Sequence, residues 1–264
     1  MLTVTANMGV SADMAKGKKS ALSAYHPPQL EDIRITTVGN VLGDIRHITP
    51  EQQERLGFES HGLNLKIWCV GDVTLTRQRT VAIVGTREVS REGAARSRRL
   101  AKELAEEGIV IYSGLAKGVD TEALKSAIES GGRVVAVIGT PIDKAYPAEN
   151  KRLQEEIYRE HLLISQFPPG TRTFPSSFPE RNKLMAALSD ATAIIEAGET
   201  SGTLHQAAEC VRLGRWLYIA QSVVDDPALT WPKRFTEYER FRVLRNTQDV
   251  LASLDTVPYQ DKKH

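Results

Sequence analysis

From residue 63 onward the chain repeats one pattern. A short, nearly uninterrupted apolar run gives way to small or glycine-rich residues, and then to a longer amphipathic segment. The runs are "LNLKIWCV" (63–70), "TVAIVG" (80–85), "IVIYS" (109–113), "RVVAVIG" (133–139), "HLLISQF" (161–167), "ATAIIEA" (191–197) and "RWLYIAQ" (215–221). A strand that is apolar on both faces has to be covered on both faces, and the helical segments between the strands supply the crossovers that parallel pairing needs. The pattern predicts an α/β fold, a doubly wound, mostly parallel sheet of Rossmann-like type.

The clearest helix is "SREGAARSRRLAKELAEEG" (90–108), with Ser90 as N-cap, Gly108 just past its end, and Ala94, Ala101, Leu104 and Ala105 as its apolar stripe. Further helices are expected at 120–130, 150–160, 180–189 and 202–213. Ahead of this domain (63–255), residues 1–30 read as a flexible tail rich in Ala, Ser, Gly and Lys. Residues 31–62 read as a short N-terminal extension, a small helical element centred on "TPEQQERLGF", where Thr49 caps, Pro50 opens the helix and Gln53 completes a capping box. Residues 256–264 read as a C-terminal tail.

In doubly wound sheets ligands bind outside the carboxyl ends of the strands, where loops feed helix N-termini. Four such loops stand out: "GTREVS" (85–90), "SGLAKGVD" (113–120), "GTPIDKAYPAEN" (139–150) and "GETSGTL" (198–204). Small residues let backbone approach a ligand, and N–H groups at a helix start favour an anion. Arg87 and Lys117 add full charge. None of the loops is a GxGxxG or a GxxxxGK[ST], and the missing GxGxxG disfavours a dehydrogenase. A fifth segment, "SFPERNKLMAALSD" (177–190), puts Arg181, Asn182 and Lys183 in the first turn of a helix, a place that disfavours cations unless an anion sits there. Phe174 and Phe178 just upstream read equally as rings for stacking bases or as core.

Net charge bears on the anion's identity. Of 264 residues, Lys and Arg outnumber Asp and Glu by one, so a nucleic-acid site has to be a local patch. Cys69 and Cys210 stand far apart in apolar surroundings and read as buried thiols of a reducing compartment rather than metal ligands. With no membrane-length apolar run and no signal-like N-terminus, a cytoplasmic protein with no membrane partner is expected. No metal, no cofactor and no catalytic constellation is expected.

Taken in order, "GTR" (85–87), "SGLAKGVD" (113–120), "DKAYPAEN" (143–150), "SQFPPG" (165–170), "FPERN" (178–182) and "EAGETSGT" (196–203) resemble the motif succession of the DNA-processing protein A family, DprA or Smf. The resemblance covers about residues 63–223 and implies a Rossmann-like domain that binds single-stranded DNA, hands it to the RecA recombinase in DNA uptake, and commonly dimerises. Carried over, it implies that Gly85, Thr86 and Arg87 form a backbone-phosphate turn, joined by Ser113, Gly114, Lys117 and Gly118, by Phe178, Arg181 and Asn182 with Lys183 beside them, and by Ser201, Gly202 and Thr203. The chain departs from the family at Leu124, where a histidine is usual, at Gln166, where a glutamate is usual, and after residue 222. There "KRFTEYERFRVLR" (233–245) interleaves basic and aromatic residues, as a strand-binding face or a half-buried amphipathic element would. No winged-helix-sized tail is expected after it. Two other readings are a carrier of a nucleotide-derived small molecule and a phosphoribohydrolase resembling the Lonely Guy type. In the latter, Gln206 stands where the catalytic glutamate is expected, and an amide cannot serve as general base.

Overall fold

The structure, a computed structural model, describes residues 24–43 and 63–254. Its strands are β1 (Arg34–Thr37), β2 (Lys66–Gly71), β3 (Thr80–Val84), β4 (Val110–Ser113), β5 (Val134–Ile138), β6 (Leu162–Ser165), β7 (Ala191–Ile194), β8 (Trp216–Ala220) and β9 (Phe241–Leu244). They form one sheet in the order β1-β2-β6-β5-β4-β3-β7-β8-β9. From β6 to β9 every pairing is parallel, while β2 runs antiparallel to both β1 and β6. This is the expected α/β architecture, with an antiparallel pair added at one edge.

The described helices are α1 (Val38–Leu42), α2 (Arg91–Glu106), α3 (Val119–Glu129), α4 (Lys151–Glu160), α5 (Ser177–Leu188), α6 (Thr203–Arg212), α7 (Gln221–Val224) and α8 (Gln248–Leu254). Strand side chains alternate between two cores. Val81 and Ile83 of β3 join Leu100 and Leu104 of α2, Val119 and Ala123 of α3, and Ile157 of α4. Ala82 and Val84 face the other way, onto Leu184 and Leu188 of α5 and Ala207 and Cys210 of α6. Two-sided burial is why the central strands read as continuous apolar runs. Ser90 caps α2 as expected, its Oγ accepting from the Gly93 N–H at 2.9 Å.

The N-terminal part joins the same sheet. β1 pairs with β2 from Arg34 opposite Cys69 to Thr37 opposite Lys66, and Thr37 caps α1 by accepting from Asn40 N–H at 3.2 Å. Residues 24–26 lie on α4: Gln154 Nε2 donates to Tyr25 Oη at 2.9 Å and His26 N–H to Glu155 at 2.8 Å. The helix expected around Thr49, Pro50 and Gln53 lies outside the described residues, as do residues 1–23 and 255–264.

The basic-aromatic segment turns its rings inward. Trp231 is fully buried, Phe241 is buried in β9, and Tyr238 Oη donates to the Arg215 carbonyl at 2.8 Å. Arg240 donates to the Gly214 carbonyl at 2.6 Å, and the Arg242 guanidinium lies 4.9 Å from the Trp216 ring centroid. It is an edge of the sheet, with arginines covering its rim. Cys69 and Cys210 are buried and free, and burial pushes both thiols up to about 12. No helix among the described residues is long and apolar enough to cross a membrane.

Candidate nucleic-acid interface

β3 and β7 are neighbours, yet the chain leaves β3 towards β4 and leaves β7 towards β8 on the opposite side. That reversal opens a crevice between the loops that follow the two strands. The crevice has a volume of about 420 Å³ and is lined by the turn 85–88, by Phe178, Arg181 and Asn182 of α5, and by residues 200–203 leading into α6.

The turns around it are bolted together through backbone. The Thr86 N–H donates to the Glu196 carbonyl at 2.7 Å, and the Thr86 carbonyl accepts from the Val119 N–H at 3.2 Å. Gly118 makes the second contact possible: its φ is +75°, and a Cβ there would lie 2.3 Å from the Thr86 oxygen. The Glu196 carboxylate accepts from the Ser90 N–H at 3.0 Å and the Ser90 hydroxyl at 2.6 Å, tying the loop after β7 to the start of α2.

The "SGLAKG" loop is braced from within. Asp120 accepts from the N–H groups of Gly114 at 3.1 Å and Ala116 at 3.3 Å. Leu115 is fully buried with φ +57°, a conformation disfavoured for a side chain with a Cβ, and its carbonyl accepts from Asn150 Nδ2 at 2.9 Å. Asn150 also donates to Thr121 Oγ1 at 2.7 Å, so the asparagine of "DKAYPAEN" holds the neighbouring loop in place.

Arg181 forms part of the floor. Its side chain is only 5% exposed, and Nη1 donates to the Val137 carbonyl at 2.9 Å. Glycine at 114 leaves room for the guanidinium, since a Cβ there would sit 1.5 Å from Arg181 Nη1 and push the arginine off this position. Burial pushes the Asp120 carboxyl above its ordinary range, with Arg181 and the two amide donors pulling it back. Burial likewise lowers the Arg181 guanidinium, and the charge of Asp120 opposes that. Each of the two charges favours the other's ionised form through space, and Arg87 is near enough to be felt by both.

The exposed cations are Arg87, Lys117 and Lys183, and one exposed carboxylate, Glu88, lines the crevice and the second hollow beside Arg87. The Arg87 guanidinium lies 5.4 Å from the Phe178 ring centroid. Lys117 Nζ is 2.6 Å from Glu149, and Lys183 Nζ is 2.9 Å from Glu180. Asn182 Nδ2 donates to the Gly202 carbonyl at 3.3 Å, joining α5 to the loop before α6. Ser201 Oγ accepts from the Thr203 N–H at 3.2 Å and donates to Thr203 Oγ1 at 2.8 Å, which closes a local turn at the start of α6.

Arg87 and Phe178 also line two further hollows, so the three adjoin as one groove. The second, about 280 Å³, is walled by Gly114, Lys117 and Tyr146. The third, about 610 Å³, is walled by Lys144, Tyr146 and Phe174. Of the residues expected at the site, Gly85, Thr86, Arg87, Phe178, Arg181, Asn182, Ser201, Gly202 and Thr203 line the crevice, and Gly114 and Lys117 line the second hollow. Ser113, Gly118 and Lys183 line none of the three. Ser113 is buried and donates to the Ile83 carbonyl at 2.7 Å, where it ties β4 to β3. The amides of Thr86 and Gly114 are taken up inside the protein, which leaves side chains to do more of any anion binding than the glycine-rich turns imply. Sequence reasoning missed Tyr146, Lys144 and the bracing roles of Asp120 and Asn150; three of these lie in "DKAYPAEN", whose spacing was legible but whose roles were not. No group of three metal-ligating side chains is gathered among the described residues.

The family model of DNA recombination-mediator protein A matches residues 46–255. DNA processing protein DprA of Streptococcus pneumoniae is 37% identical over 186 residues, covering 70% of this chain and 65% of the relative. That of Bacillus subtilis is 30% identical over 189 residues, 71% of this chain and 63% of the relative. The chain thus spans less than two thirds of the length of these curated relatives. A crystal structure of the Streptococcus pneumoniae protein superposes with a TM-score of 0.70 at 30% identity, covering 84% of this chain and 74% of that one. A structure of DNA processing protein A from Helicobacter pylori, determined to describe its single-stranded DNA binding mode, gives a TM-score of 0.66 at 26% identity over 84% of this chain and 95% of that one. The six motifs, the sheet order and these matches agree: the chain belongs to the DNA recombination-mediator protein A family, DprA/Smf.

Proposed function

We propose that the groove binds single-stranded DNA, with its phosphates on Arg87 and Lys117 and at least one base on Phe178. The observation that carries this is the placement of Arg87. It is exposed, it stands where all three hollows meet, and it covers an aromatic ring. A cation beside an aromatic in an extended, open groove suits a polymer of phosphates with unpaired bases, because a stacked base has to leave its duplex partner. A single nucleotide would leave most of the groove empty.

Family membership and the Helicobacter pylori relative support the same ligand. On this reading the protein works in the cytoplasm, delivers strands to a RecA-type recombinase in DNA uptake or recombination, self-associates as a dimer, and catalyses nothing. The carboxylates weigh against the phosphoribohydrolase. Glu196 is spent on Ser90, Glu199 accepts from the Thr230 N–H at 2.9 Å, and Gln206 is fully buried, its amide oxygen accepting from Thr192 Oγ1 at 3.2 Å and its amide N–H donating to the Asn182 carbonyl at 2.6 Å.

The test is a binding titration against single-stranded DNA, duplex DNA and AMP at two salt concentrations. Tight, salt-dependent binding of the single strand over the duplex is expected. Tight binding of AMP without binding of the polymer overturns the reading.

A further inference from the structure

Four large apolar side chains are conspicuously exposed among the described residues, and two of them, Tyr146 at 48% and Phe174 at 53%, wall the same hollow. Solvent-facing rings gathered in one place mark a surface that something else covers. Their surroundings say what kind of partner. Phe178 completes the wall, with its centroid 5.5 Å from that of Tyr146 and the two planes inclined at 45°, so neither ring seals the face of the other. Arg87 lies over Phe178, and the Arg172 guanidinium lies 5.6 Å from the Phe174 centroid. Lys144 Nζ donates to the Thr171 carbonyl at 2.6 Å, which pins the turn leading to Phe174. The charged residues lining this hollow are Arg87 and Lys144, and no carboxylate lines it.

We infer that Tyr146, Phe178 and Phe174 form an aromatic rail that stacks successive bases of the strand as it leaves the phosphate crevice. This inference rests on the single-strand reading and extends it. The crevice and the rail share Arg87 and Phe178, so a strand whose phosphate meets Arg87 has its adjoining bases beside the rail. Rings stack on any base, so the rail contributes affinity without sequence preference. The arginines hold two of the rings in place before the strand arrives, and they offer charge to the phosphates between the stacked bases.

Equilibrium binding of oligo(dT) and of an abasic deoxyribose-phosphate strand of equal length tests this, with wild type, a Tyr146→Ala/Phe174→Ala variant and a Tyr146→Trp/Phe174→Trp variant. Wild type should bind oligo(dT) at least tenfold more tightly than the abasic strand. The double-alanine variant should lose about tenfold on oligo(dT) with the salt slope unchanged, since no phosphate contact is removed, and the double-tryptophan variant should retain affinity. If the folded double-alanine variant keeps its affinity, the rail is overturned while the single-strand reading stands; if wild type binds both strands equally, the base on Phe178 falls with the rail and only the phosphate path on Arg87 and Lys117 is left. If wild type binds neither strand, both fall. Should the alanine variant not fold, quenching of 2-aminopurine in a strand bound to wild type decides, because a base that is not stacked stays bright.

Discussion

The guanidinium of Arg87 sits 5.4 Å from the centre of the Phe178 ring, and this pair is the point through which every hollow of the groove connects. One residue comes from the turn after β3 and the other from the start of α5, so a contact between crossovers far apart in sequence sets the site. Arg87→Ala should weaken single-strand binding about equally for any base sequence. It should also lower the slope of log affinity against log salt by about one, as the loss of one phosphate contact does. Titrations at three or more salt concentrations measure this, and an unchanged slope would remove Arg87 from the phosphate path.

Lys117 arrives at the groove already engaged. Its ammonium is 2.6 Å from Glu149, both side chains are more than half exposed, and the Lys117 hydrogen bond holds the Glu149 carboxyl below the usual range. A carboxyl with a depressed pKa keeps its pair above the ordinary glutamate value and loses it only as pH falls through the lowered one. Between neutrality and about pH 5 this pair therefore adds no pH dependence to binding. Glu149→Gln should release Lys117 and tighten strand binding a few-fold, most clearly at low salt, as expected for an exposed ion pair. Unchanged affinity at low salt would show that Lys117 stays clear of the strand.

Arg181 behaves differently from the exposed cations, because its charge is balanced inside the protein rather than by solvent. Removing it leaves Asp120 buried without its counter-charge, while Asp120 still has to accept from the Gly114 and Ala116 amides. Arg181→Ala should destabilise the fold by about 1–3 kcal/mol, the range for losing a buried charged hydrogen bond, here the one to the Val137 carbonyl. Arg181→Met combined with Asp120→Asn should recover part of that loss. Denaturant unfolding of the three variants measures it. A stability close to wild type in Arg181→Ala would mean that the buried guanidinium does not anchor α5 to β5.

The difference between Arg87 and Arg181 also marks where sequence reading stops. The β-runs, the crossovers and the rim on which the loops gather follow from local pattern, because a strand covered on both faces is apolar throughout. Which of two arginines points outward depends on what lies across the sheet: Arg181 turns in because Gly114 leaves it room and Val137 offers a carbonyl. The edge strands were hidden for a related reason. "RITT" is half exposed and "FRVL" carries an arginine, so neither shows the unbroken run of a central strand. In the segment after residue 230, basic and aromatic residues interleave in the same way whether the rings face solvent or core, and only the neighbours Trp216 and Gly214 decide it. Tyr146 belongs to a legible motif, but its exposure depends on where Phe178 and Phe174 stand, and no spacing within "DKAYPAEN" reports that.

Gly118 tests whether the docking of the two turns, rather than any single side chain, is what the site needs. Its positive φ alone penalises any other residue, and Gly131 shares that sign of φ, at +79°, with open space for 4 Å around the place a Cβ would occupy. Gly131→Ala therefore isolates the backbone penalty, about 1 kcal/mol, and should leave strand binding unchanged. Gly118→Ala, at φ +75° and ψ −128°, carries at least that penalty and also drives a methyl to 2.3 Å from the Thr86 oxygen and 2.7 Å from the Arg87 oxygen. The turn bearing Arg87 has to move away, breaking the Val119 N–H to Thr86 hydrogen bond and shifting the guanidinium off Phe178. Thermal unfolding should show a larger loss for Gly118→Ala than for Gly131→Ala, and only Gly118→Ala should weaken binding of the single strand. Equal affinities in the two variants would mean that Arg87 finds the strand without the support of the "SGLAKG" loop, and that the two turns act independently.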